Sequence, residues 1–169
     1  MKTTIIAIAL STWSLDLARA ETVEMTTGPD LSVNYDPAVW KPLSPLRGPE
    51  PGTFQSMTWK FQGAVQAHIT VVSHPEQKKD ADFKREMLIE QKFRGDPAEL
   101  VRERRASLSG RDWLVLDFRN ASTQPPRGEV HYFLPTDDGY ITLCLIGDAA
   151  HLQRYNSAIA MFLGKIQLN

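Results

Sequence analysis

Between Thr53 and Ile146 the chain is dominated by short runs in which apolar and polar residues alternate, and this period of two constrains its fold more than any other feature. Val65, Ala67, Ile69 and Val71 fall on one side of a strand, and Gln66, His68 and Thr70 on the other. That run, Ala64 to Val72, is separated by Gln62-Gly63 from Thr53 to Phe61, which predicts a hairpin with one core face. Leu31-Ser32-Val33-Asn34-Tyr35 alternates in the same way, and Asp36-Pro37 then opens a short helical turn carrying Val39 and Trp40. Helical signals come singly. Asp80 caps a segment in which Phe83, Met87 and Leu88 recur at helical spacing before Gly95, and Asp96-Pro97-Ala98-Glu99 starts a helical turn. Asp148 caps a final helix whose apolar stripe is Leu152, Tyr155, Ala158, Ile159, Phe162 and Leu163. Without β-α-β alternation, this pattern predicts an α+β fold: a twisted antiparallel β-sheet with helices packed on it.

Two turns set the remaining registers. Ser109-Gly110 lies between Val101–Ser107 and Trp113–Phe118, which places Arg102 opposite Asp117. Asp138-Gly139, read as a two-residue loop, places Leu134 opposite Leu143, Tyr132 opposite Leu145, Phe133 opposite Cys144 and His131 opposite Ile146. Lys41 to Thr53 holds Pro42, Pro45, Pro49 and Pro51 with Gly48 and Gly52, and is expected to cross the surface without regular structure.

The first residues place Lys2 before the apolar run Ile5-Ile6-Ala7-Ile8-Ala9-Leu10, and Ala18-Arg19-Ala20 supplies a small-x-small cleavage site. Residues 1–20 are therefore expected to be a signal peptide cleaved after Ala20, with Ala18 and Ala20 in the peptidase pocket. Residues 21–30 are expected to be a flexible leader, and residues 31–169 a single α+β domain. The apolar run is far shorter than the roughly 20 residues a spanning helix needs, so no stable membrane insertion after cleavage is expected. The expected compartment is the bacterial periplasm or the exterior. Without Lys2, Arg19 and Asp16 the 19 basic and 20 acidic residues fall by two and by one, a net charge of about −2 that lacks the basic excess of nucleic-acid binders. Cys144 is the single cysteine, so no internal disulfide forms. Its neighbours Leu143 and Leu145 lead to the expectation of a small buried hydrophobe.

The order of a strand running into Tyr35-Asp36-Pro37-Ala38-Val39-Trp40, a hairpin, a helix, two hairpins with Ser109-Gly110-Arg111-Asp112-Trp113 at a turn, and a closing helix resembles the Mog1/PsbP-like α/β/α sandwich. The similarity covers most of Leu31 to Leu168. It implies a twisted antiparallel sheet between helices and non-catalytic assembly factors, chaperones or binding modules with unrelated partners; it brings no active site with it.

His68, His74, His131 and His151 lack the spacing of helical metal sites, and no H-E-x-x-H, G-x-S-x-G or phosphate-binding glycine loop is present, so the spacing indicates neither a metal nor a cofactor. Both His68 and His131 fall on the less apolar side of their strands, where folding can bring them together. Asp137 and Asp138 suit a turn better than a catalytic pair, and Asn120-Ala121-Ser122 reads as an ordinary loop. Arg102 and Arg104 share a strand face with Trp113 and Val115, and arginine beside an aromatic is the composition of protein contacts. Charge pairing across the strands, with Trp113 covered by a helix, explains the same residues. The expected function is a non-enzymatic binding or accessory protein that recognises another protein or an envelope component, chaperone-like or toxin-neutralising, with Arg102, Arg104, Trp113, Val115 and His131 as candidate binding residues. The competing expectation is a small-ligand carrier or hydrolase, with a pocket between the sheet and residues 42–53 and polar groups drawn from His68, His131 and Asp117.

Overall fold

Strand after strand buries alternate residues, and the result is one large antiparallel sheet closed on one side by a smaller one. The computed structural model describes residues 20–25, 31–43, 46–47, 54–62, 64–73, 86, 98–137 and 139–168. In chain order the strands are β1 (Glu21–Met25), β2 (Leu31–Tyr35), β3 (Trp40–Pro42), β4 (Leu46–Arg47), β5 (Phe54–Phe61), β6 (Val65–Ser73), β7 (Glu99–Leu108), β8 (Arg111–Asn120), β9 (Arg127–Pro135), β10 (Gly139–Asp148) and, after two helices, β11 (Ile166–Leu168). The helices are α1 (Ala149–Arg154) and α2 (Asn156–Leu163). The large sheet runs β3-β5-β6-β10-β9-β8-β7, with β4 also on β5, and the small sheet runs β1-β2-β11.

The inner face of the large sheet carries Met57, Trp59, Ala67, Ile69, Val115, Tyr132, Ile141, Leu143 and Leu145. Leu31, Val33, Tyr35 and Ile166 from the small sheet, with Ile159 and Phe162 from α2, complete this core. At its centre Trp59 is fully buried and meets Phe162 and Tyr35 edge-on at 5.6 and 6.1 Å, while Trp40 stacks on Phe162 at 4.3 Å. The fold is thus strand-dominated, with two short helices on antiparallel sheets among the described residues. The helix expected from Asp80 to Gly95 lies outside the described residues except for Glu86, which is helical.

Several expectations are corrected. Glu21–Met25, expected within a flexible leader, is a strand: Glu21 pairs with Tyr35 and Val23 with Val33, because β2 offers it an unpaired edge. β3 runs from Trp40, expected on a helical turn, into the proline-rich stretch, and Leu46–Arg47 is a short strand within it; β3 lies at the sheet edge, where a missing N–H breaks no ladder. Glu99 begins β7 rather than a helical turn. The last hairpin pairs Leu134 with Ile141, Tyr132 with Leu143, Phe133 with Thr142 and His131 with Cys144. Thr136 N–H donates to the Gly139 carbonyl at 3.0 Å, so Gly139 closes the turn instead of standing inside it. The displacement is two residues, an even number, so every side chain keeps its face and only its partner changes.

Tyr35 ties the small sheet together, its hydroxyl donating to Glu21 Oε2 at 2.5 Å. Burial, then the hydrogen bond and charge of Glu21, push the phenol from 10.0 up to about 12. A raised folded-state value stabilises the fold below pH 10, and this contribution is lost as the pH climbs from about 10 to about 12. Melts across that window should fall more steeply for the wild type than for Tyr35→Phe; parallel curves would show that the phenol keeps an ordinary value when folded.

Candidate functional site

The outer face of the large sheet is where the sequence places its less apolar residues, and it divides into an apolar and a polar half. Leu114, Leu116, Phe118 and Phe133 form a second buried cluster towards β8, with Ala98, Leu100 and Tyr140 packed against it. Beside it a single row crosses the strands: Thr58 on β5, His68 on β6, Cys144 on β10, His131 on β9 and Leu116 on β8. The two histidines therefore flank the single cysteine.

The two rings are held differently. Thr58 Oγ1 lies 2.5 Å from His68 Nδ1, and Ser56 Oγ lies 3.0 Å from His68 Nε2. Ser56 itself donates to the Ile69 carbonyl and accepts from Thr70, so it receives the Nε2 proton while Thr58 donates to Nδ1. Both nitrogens are used, and burial pushes the His68 pKa below its ordinary value. His68 is a neutral histidine of the sheet.

At His131, Glu129 Oε2 approaches Nε2 at 3.0 Å and Cys144 Sγ approaches the same nitrogen at 3.5 Å. The three donor atoms lie within 4.8 Å of one another. Glu129 is nearly buried, with 7% of its side chain exposed, and its other oxygen is held by Arg127 Nε at 3.4 Å. Phe118 meets the imidazole edge-on at 5.5 Å and fixes its plane. Arg127 leads from this group into a cleft of about 620 Å³, whose lining includes Gln66, Gln124, Ile146, Asp148 and His151. Gly147 also lines it, and a Cβ there would stand 2.8 Å from the Ala64 carbonyl oxygen.

Cys144 is half-buried on this polar face, not a core hydrophobe. Leu143 and Leu145 say nothing of its surroundings, because in a strand they point to the opposite side. Trp113 and Val115 are 1% and 0% exposed, so the face proposed for protein contact is the inner wall of the core. The Trp113 indole N–H donates to the Leu108 carbonyl at 3.0 Å. Arg104 follows the charge-pairing alternative, with Nη2 3.4 Å from Asp117 Oδ1 and its guanidinium 5.9 Å from the Tyr132 ring centre. Arg102 is exposed on β7, opposite Asp117 as the turn predicted. Asp117 shares the inner face with Arg104 and does not join His68 and His131. Among the described residues the cleft is walled by residues 123–125, while most of residues 42–53 lie outside the described residues. Asn120, buried, accepts from Ser122 N–H at 3.0 Å as the loop reading requires. The described residues begin at Ala20, so Ala18 lies outside them.

Glu129 and Cys144 are the residues that spacing alone passed over. The signal was present in Glu129-Val130-His131, since residues two apart on a strand share a face.

No family model and no curated protein sequence matches the chain. Among solved structures it is similar to cyanobacterial PsbP (CyanoP) from Synechocystis, at 14% identity over 95% of this chain and 99% of that one, with a TM-score of 0.61. Protein PA94 from Pseudomonas aeruginosa matches at 12% identity over 86% and 94%, TM-score 0.49. LpqN, involved in cell envelope biogenesis of Mycobacterium tuberculosis, matches at 10% over 89% and 91%, TM-score 0.46. The sandwich of antiparallel sheets, reached first from the order of elements, is thus a PsbP-like fold, and the chain resembles the Mog1/PsbP-like group in its architecture.

Proposed function

We propose that this chain is an exported, non-enzymatic accessory protein of the bacterial envelope, and that it engages its partner on the outer face of the large sheet, at His131 and the cleft beside it. The observation that carries this reading is the convergence of Glu129 and Cys144 on one nitrogen of His131. A catalytic relay needs the base to meet its nucleophile through one ring nitrogen and its orienting acid through the other. Here both contacts fall on Nε2, which gathers donors around a point and suits binding. Export is supported by the apolar run and Ala18-Arg19-Ala20, and among the described residues no helix is long and apolar enough to cross a membrane.

A small-ligand carrier is the second reading, favoured by the cleft, whose volume of about 620 Å³ falls in the usual range for such sites. Photocrosslinking in the native envelope separates the two. A photoreactive residue at exposed Gln66, in the cleft, is expected to give a protein-sized adduct in the periplasmic fraction, on chains whose N-terminus is Glu21. The same residue at exposed Arg102 is expected to give none. A small-molecule mass increment in place of the protein adduct supports the carrier. Adducts from Arg102 alone move recognition to the β7 edge, and Met1-bearing chains in the cytoplasm overturn export.

A further inference from the structure

We propose that Glu129 Oε2, His131 Nε2 and Cys144 Sγ bind a zinc-class divalent cation, leaving one coordination position for water or another ligand. The proposal deepens the binding reading of this face and rests on it.

The first argument is geometric. Tetrahedral zinc holds sulfur at about 2.3 Å and nitrogen or oxygen at about 2.0–2.1 Å, which sets neighbouring donors roughly 3.3–3.6 Å apart. Cys144 Sγ to His131 Nε2 is 3.5 Å, and His131 Nε2 to Glu129 Oε2 is 3.0 Å. All three atoms lie within 4.8 Å of one another, so side-chain adjustment alone closes the triangle around an ion. The donors come from adjacent residues of one paired ladder: Cys144 stands directly opposite His131, and Glu129 is two residues along the same strand.

The second argument is hydrogen-bond bookkeeping. A neutral imidazole offers one proton or one lone pair at Nε2, yet a carboxylate oxygen and a sulfur both approach that atom. A proton at Nε2 serves only one of them at full strength, whereas a cation accepts a lone pair from each of the three, once the Cys144 thiol has given up its own proton. Thiolate and carboxylate contribute two negative charges and imidazole none, so a divalent ion leaves the half-buried group neutral. Binding forms the metal–sulfur bond and releases the Cys144 thiol proton to solvent.

The donor set selects the ion. Magnesium and calcium take oxygen ligands, whereas a mixture of thiolate, imidazole and carboxylate suits zinc and its cobalt surrogate. The surroundings supply the orientation that such sites need: Arg127 occupies Glu129 Oε1 and so turns Oε2 to the group, and Phe118 fixes the imidazole plane. His68 is the other nitrogen donor in the row, but Ser56 and Thr58 hold both its nitrogens, which leaves the fourth position to water or to another ligand. Three protein ligands leave one position of a tetrahedral zinc ion open to water or to another ligand.

The test uses the full mature chain, stripped with chelator and kept reduced. Titration with Co²⁺ alone is expected to give a thiolate-to-cobalt charge-transfer band, which Zn²⁺ alone displaces at one equivalent. Cys144→Ser should abolish the band, and His131→Gln and Glu129→Gln should each weaken Co²⁺ binding at least tenfold, with melts confirming that the variants fold. Should a variant fail to fold, alkylation of Cys144 in the wild-type chain decides: one equivalent of Zn²⁺ should slow it at least tenfold. Absence of the band, an undiminished band in Cys144→Ser, or unchanged alkylation with Zn²⁺ overturns the site. If the Gln66 crosslink persists while the band is absent, the metal site falls and the binding reading stands; if the band forms without any crosslink, the site stands and partner recognition at this face falls.

Discussion

Trp113→Ala should lower the unfolding free energy by about 3–5 kcal/mol, the usual cost of removing a large aromatic from a packed interior. The indole is 1% exposed, stands opposite Ala106, and gives its N–H to the Leu108 carbonyl next to the Ser109-Gly110 turn. Its removal leaves a cavity and takes one hydrogen bond from the Leu108 carbonyl at the point where β7 and β8 join. For a domain of this size the melting midpoint should drop by roughly 6–20 °C. Trp113→Phe, which refills most of the volume but leaves the carbonyl without its donor, should cost less. Chemical denaturation checks both, and a loss below about 1 kcal/mol for the alanine variant would mean that this face is not part of the core.

Leu143→Ala should cost about 2–5 kcal/mol, while Thr142→Ala, one residue away, should cost less than about 1 kcal/mol. Leu143 is 1% exposed in the middle of β10, between Ile69 on β6 and Tyr132 on β9. Thr142 points to the outer face and is only half-buried. Paired melts of the two variants read the alternation of β10 directly, and similar losses from both would contradict it.

The inner face was legible because it needs only the parity of each position. Val65, Ala67, Ile69 and Val71 belong to the core whichever residue stands opposite, and so do Leu143 and Leu145. The candidate site was less legible because it depends on partners, and partners depend on where a turn closes. Placing Gly139 opposite Thr136, at the close of the turn, left every face unchanged but replaced Ile146 by Cys144 opposite His131. Glu129 was hidden for another reason: a carboxylate in a strand ordinarily reads as solvated, and its burial follows from Phe118 and Arg127, which arrive from other positions. The pairing of β1 and β11 was equally invisible, since Glu21-Thr22-Val23-Glu24-Met25 is largely polar and β11 has three residues, and both gain their meaning only on β2.

That last arrangement governs the order of assembly. Ile166 lies against Val33 in the small sheet, a contact that must wait until the chain has been made as far as Ile166. Hairpins such as β7–β8 and β9–β10 join neighbours in sequence and can form early, whereas the small sheet closes a very long loop and is entropically late. Until it closes, the Trp59 side of the large sheet lacks the cover that Leu31, Val33 and Ile166 provide. A chain made only part of the way therefore lacks this cover, and gains it once β11 is present to pair with β2.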